Sequence, residues 1–252
     1  MSTSTGLSLP TETVELPSKG LLYPKDNPLS EGVVEMKYMT AKEEDILSNP
    51  NYIKQGTVFD KLLSSLIVTK VNYDDLITGD KNAILIAARI LGYGKDYTVK
   101  IQHPITGEEE TVVIDLSLIK NKEVEYSAFQ NLNEFNYVLP ISKNEVTFKM
   151  LTHGDEMQIE KELKGLKKAN LSAEVTTRLK QSILAVNGDR DKKTVRDFVD
   201  NYLLASDARA FRDHLNKVTP NLDLTFTFCG SDGYTQEGVA IPLELSFFYP
   251  TS

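Results

Sequence analysis

The chain of 252 residues contains one cysteine, Cys229, and no tryptophan. A single thiol excludes an intrachain disulfide framework and fits a reducing compartment. It also leaves no C-x-x-C pair of the kind that builds a zinc knuckle. No apolar run approaches the roughly 18 residues of a membrane-spanning segment, and the Ser/Thr-rich start lacks the basic-then-apolar order of a secretory leader. The expectation is a protein of the cytosol with no membrane partner. Positive charge is scarce, with 28 Lys and Arg against 36 Asp and Glu and a net charge of −8. That balance argues against nucleic acid as a partner, because duplex affinity rests on cationic contacts to phosphate. The cluster Lys164, Lys167 and Lys168 is too small to reverse it.

Catalytic patterns are equally thin. The histidines His103, His153 and His214 lie in unrelated contexts, and no serine sits in a G-x-S-x-G elbow. Ser117-Leu-Ile-Lys120 matches S-x-x-K without its companion motifs. The carboxylates at Glu43, Glu44 and Asp45, and at Glu108 to Glu110, read as solvated helix starts or turns. Gly92-Tyr-Gly94-Lys95 ends a helix, the reverse of a phosphate-binding loop. The expectation is therefore no enzyme, no catalytic residue and no cofactor.

What the chain does have begins with Val14 to Pro24, V-E-L-P-S-K-G-L-L-Y-P. Pro17 and Pro24 fix φ and push Leu16 and Tyr23 toward extended backbone. Gly20 accepts positive φ, so Ser18-Lys19-Gly20 reads as a turn. An extended arm bearing Leu16, Leu21, Leu22 and Tyr23 is suited to lie on something, either its own domain or a neighbouring subunit. These four residues are candidate partner contacts.

Residues 40–96 read as helical. Thr40 with Glu43 makes a capping box before a helix that starts at Ala41 and stops before Pro50. Apolar recurrence predicts helices over 57–69 and from Asp80 to Gly92. Arg89 lies among apolar neighbours in the last of these. It must reach solvent or a carboxylate such as Asp80 or Asp207, and Arg209 poses the same question. The period then changes to two. Tyr97–Ile101 and Thr111–Ile114 flank His103-Pro-Ile-Thr-Gly107 as a hairpin, and strands over 136–141 and 145–152 follow. Helices are predicted over 155–168, 172–186, from a Thr194 cap, and from Ser206. Leu222–Phe228 and Val239–Phe248 read as a closing hairpin around Cys229-Gly-Ser-Asp-Gly-Tyr. Phe248 and Tyr249 at its end are either core or a docking patch.

The fold class is α+β: helical segments, two antiparallel knuckle-like hairpins and an extended N-terminal arm. The segments run over 1–39 (arm), 40–96 (helical), 97–152 (β-rich), 153–219 (helical) and 220–252 (hairpin). The two hairpins share a plan, and whether they sit side by side is left open. A metal site at their turns would use His103 and Cys229, with Thr106 and Asp232 at the second-ligand spacing. That set is degenerate, so no metal is expected, and Cys229 reads instead as a small buried hydrophobe.

Several stretches together carry a resemblance. They are L-P-S-K-G-x-x-Y at Leu16 to Tyr23, M-T-A-K-E-E-D-I-L at Met39 to Leu47, D-K-L-L at Asp60 to Leu63, G-D-K at Gly79 to Lys81, S-D-A-R-A-F-R at Ser206 to Arg212 and F-F-Y-P at Phe247 to Pro250. In this order the chain resembles the T4-like bacteriophage baseplate hub and hub-assembly proteins. The resemblance implies C-x-x-C pairs in relatives at the positions of His103/Thr106 and Cys229/Asp232, where this chain has none, so no metal site is carried over. It further implies a structural or assembly component that binds other baseplate and hub proteins, made in the host cytoplasm and destined for the virion tail. An assembly chaperone absent from the mature particle, a tail-associated hydrolase and a homo-oligomer are the alternatives it leaves open.

Overall fold

The computed structural model describes residues 9–168, 173–243 and 245–248. Strand β1 (Thr11–Glu15) pairs antiparallel with β2 (Val33–Lys37), Thr11 opposite Lys37 and Glu15 opposite Val33. Helices α1 (Ala41–Leu47), α2 (Pro50–Gln55), α3 (Val58–Leu66) and α4 (Thr78–Tyr93) follow. The hairpin β3 (Asp96–Gln102) and β4 (Glu109–Asp115) comes next, then β5 (Phe135–Val138) and β6 (Glu145–Phe148). Helices α5 (His153–Lys168) and α6 (Glu174–Ser182) lead into β7 (Ile183–Val186), which joins β6 to complete a three-stranded sheet ordered β5-β6-β7. Helices α7 (Lys192–Asp197) and α8 (Ala205–Val218) precede the last hairpin, β8 (Thr225–Cys229) and β9 (Thr235–Ala240). The architecture is α+β, with small antiparallel sheets.

Two apolar cores organise these elements. The first gathers Leu16, Leu22 and Tyr23 of the arm with the inner faces of α3 and α4, Tyr97 and Ile114 of the β3–β4 hairpin, and Phe247 and Phe248 near the C-terminus. The second packs Val146 and Phe148 of the three-stranded sheet against Leu179, Phe198 and Phe211. Phe135 and Val218 pack against both.

Several local expectations meet a different outcome. A second helix, α2, begins where the first prediction stops: Pro50 takes the first helical position and the Asn49 side chain accepts from the amides of Asn51 and Tyr52. The helix expected to reach Val186 ends at Ser182, because the apolar run Ile183–Val186 is buried as a strand against β6. Asp191 rather than Thr194 caps α7, accepting from the Thr194 amide. The closing strand ends at Ala240, and Leu245–Phe248 forms a single 3-10 turn. Pro242 between them has no amide to continue a ladder.

Candidate functional site

The arm folds back on this chain. Lys19 and Gly20 both take positive φ, 52° and 75°, and close the expected turn with Lys19 N donating to the Leu16 carbonyl. Gly20 is tight against the 3-10 turn Pro28–Glu31 that precedes β2: a Cβ there would lie 2.3 Å from the Ser30 carbonyl oxygen. The turn delivers Ser18 and Tyr23 to Asp80, near the start of α4. Asp80 accepts from the Ser18 amide at 2.9 Å, the Ser18 hydroxyl at 2.6 Å and the Tyr23 hydroxyl at 2.5 Å. Tyr23 Oη in turn accepts from the Ile77 amide at 3.0 Å. Burial pushes the Asp80 carboxyl above its ordinary value, and its Ser18 and Tyr23 donors oppose that rise. Burial and the adjacent Asp80 charge together push the Tyr23 phenol up.

Of the two settings the sequence left open for Leu16, Leu22, Tyr23 and Phe248, their own core or a neighbouring subunit, the fold of this chain shows the first. All four are buried in the first core at 3% exposure or less. Leu21 is half-buried and packs against the same core. The physical reason is the Asp80 anchor together with the apolar faces of α3 and α4, which cover the arm within the chain. Tyr249 lies outside the described residues.

Arg89 also finds a partner that sequence reasoning did not. It is 2% exposed and donates to three backbone carbonyls, Phe247 at 2.7 Å, Gly94 at 2.9 Å and Asp96 at 3.2 Å. Neither Asp80 nor Asp207 reaches it. Asp207, fully buried, instead accepts from the amides of Ile141 and Ser142, tying the start of α8 to the β5–β6 turn. Glu43 is likewise unexposed and receives Lys37, Thr40 and Ser65. These groups act as internal fasteners between segments distant in sequence.

The two knuckles lie side by side. The His103 ring packs edge-on to Phe228 and Tyr234, and the Ser231 amide donates to Glu110 at 2.9 Å. His103 Nδ1 accepts from the amides of Ile105 and Thr106, which leaves a neutral ring's proton on Nε2. Nε2 stands 3.4 Å from Asp232 Oδ1 without a hydrogen bond of good geometry. Cys229, expected as a buried hydrophobe, is exposed, because alternation along β8 turns Phe228 inward instead. Among the described residues no cluster of three or more His, Cys, Asp or Glu is placed to hold a metal ion. A second polar knot joins α3, α4 and α5: Lys81 Nζ contacts Asp60 at 2.8 Å and His153 Nδ1 at 3.0 Å. Burial and the Lys81 charge push His153 down from its ordinary pKa.

A family model described as T4 bacteriophage base plate protein matches residues 10–240. The chain belongs to that family. No curated protein and no solved structure matches it. The stretches that suggested a base plate protein now have positions: Ser18, Tyr23 and Asp80 meet in one anchor, Asp60 and Lys81 in one knot, and Asp207 fastens α8. Among the described residues no helix is long and apolar enough to cross a membrane.

A depression on this base plate protein lies where the two cores adjoin, a cleft of about 700 Å3. Its walls come from α6, α8, the segment around Lys149–Leu151 and the crossing of Lys122 with Asn221 and Leu222. Asp207 and Phe211 turn inward on α8 and leave Arg209 and Arg212 on its outer side. Arg178 is held by Glu156 at 2.9 Å and by Glu174 at 3.4 Å, and Lys149 by Asp155 at 2.7 Å. Arg209 only approaches Asp213, at 4.0 Å, and among the described residues Lys122 and Arg212 pair with no carboxylate. Burial pulls the Lys122 ammonium below its ordinary pKa. Of these cations only Arg209 stood out in the sequence. Arg212 follows it at helical spacing on α8, while Lys122, Lys149 and Arg178 come from separate segments that no spacing rule links.

Proposed function

We propose that this protein is a non-enzymatic structural component of the hub of a contractile phage tail baseplate, acting by binding other hub and baseplate proteins. The observation that carries the reading is the base plate family match across residues 10–240. It is supported by the use of the chain's chemically versatile side chains. Asp80, Asp207, Glu43 and Arg89 are consumed by backbone and hydroxyl partners and, for Glu43, the Lys37 ammonium, which suits a rigid assembly part. The protein is made in the host cytoplasm and enters the particle during tail assembly.

Quantitative mass spectrometry of purified particles beside infected-cell lysate tests this. A small fixed ratio to known tail proteins is the expected result. Abundance in lysate with absence from particles would overturn the structural reading in favour of an assembly chaperone. A peptidoglycan-clearing assay on the purified protein is expected to be negative, and clearing would overturn the non-enzymatic part.

A further inference from the structure

The cleft between the two cores combines two properties that point to one kind of occupant. Its cations outnumber its carboxylates five to three, although the whole chain carries a net charge of −8. The three least committed, Lys122, Arg209 and Arg212, come from two separate elements, the segment around Lys122 and α8. The same lining includes the apolar groups Val175, Leu215 and Leu222, and Val175 keeps 44% of its surface exposed. A lining both cationic and apolar complements an amphipathic acidic peptide, whose carboxylates would meet the cations while an apolar side chain meets the apolar groups.

Resting on the base plate reading, we propose that this cleft is a docking site for an acidic, apolar-studded segment of another baseplate protein. Residues 1–8 and 249–252 contain no Asp or Glu and so lack the composition of that segment. Nucleic acid fits less well. A phosphate backbone has no use for the apolar lining. The family stretch S-D-A-R-A-F-R then has two jobs. Asp207 and Phe211 lock α8 in place, and Arg209 and Arg212 face the partner.

The test is fluorescence anisotropy of the full chain with a short dye-labelled peptide alternating Glu and Leu. Its Gln-for-Glu counterpart and an oligothymidylate of matched charge serve as competing probes. The Glu peptide is expected to bind with an affinity that falls as salt rises, and the Gln peptide at least about tenfold more weakly. The double variant Arg209→Glu/Arg212→Glu should lose about tenfold or more, whereas Lys192→Glu/Lys193→Glu, outside the cleft, should bind as wild type. Circular dichroism checks folding, and Lys122→Glu on the other element repeats the test should the double variant unfold. Binding indifferent to both cleft variants, tighter binding of oligothymidylate, or no peptide binding by the wild-type chain would each overturn the proposal. So would self-association in light scattering that the cleft variants abolish, since the occupant would then be a second copy. A protein found at fixed ratio in particles that ignores the peptide refutes the docking site alone and leaves the base plate reading standing.

Discussion

Replacing Tyr23 by phenylalanine keeps the ring in the first core and removes only the hydroxyl. That oxygen donates to Asp80 Oδ2 at 2.5 Å and accepts from the Ile77 amide at 3.0 Å, both in buried surroundings. Losing a buried hydrogen bond costs about 0.5–1.5 kcal/mol, and stranding a buried N–H costs about 1–3 kcal/mol more. Partial relaxation brings the expected loss to about 3 kcal/mol, and at about 2–4 °C per kcal/mol for a chain of this size the melting temperature should fall by about 6–12 °C. Scanning calorimetry of wild type, Tyr23→Phe, Ser18→Ala and the double variant measures it. Ser18 and Tyr23 share Asp80 Oδ2, so the double variant should depart from additivity by about 1 kcal/mol or more. A melting temperature within about 1 °C of wild type for Tyr23→Phe, or strict additivity, would refute the idea that one buried carboxylate holds the arm.

Three further outcomes follow from the same geometry. Burial alone would raise Glu43, but Lys37, Thr40 and Ser65 outweigh it and hold its carboxyl at about 2 against an ordinary 4.5. Its stabilisation, about 3 kcal/mol by linkage, is complete above pH 4.5 and lost as pH falls toward 2. Melting temperature should therefore drop more steeply across that window in wild type than in Glu43→Gln, and parallel curves would contradict the assignment. Gly20→Ala should cost at least about 3 kcal/mol, since it combines φ of 75° with a Cβ 2.3 Å from a carbonyl oxygen. An unchanged urea midpoint would disprove that close approach. Arg89→Lys keeps the charge but cannot span three carbonyls, and a loss of about 3 kcal/mol in urea denaturation is expected. Wild-type stability in that variant would show that the fork geometry is unimportant.

Features whose causes lie within a few residues were legible in the sequence. The Ser18-Lys19-Gly20 turn rests on glycine's access to positive φ. The start of α1 follows from Thr40 and Glu43, three positions apart. The β3–β4 hairpin follows from alternation around a turn whose Gly107 has φ of 72°. Even the family could be suspected from short stretches in the right order. What the tertiary structure decided was every partnership across distance. Ser18 meets Asp80 62 positions away, and Arg89 meets the Phe247 carbonyl 158 positions away. The apolar arm reads the same whether it covers its own core or a neighbour's, because a hydrophobic surface is non-directional and does not name what buries it. Ile183–Val186 became a strand only because β6 had a free edge beside it, and Phe228 rather than Cys229 turned inward only once the hairpins met. The cleft belongs to the same class: its charge comes from side chains that only packing of the two cores brings together.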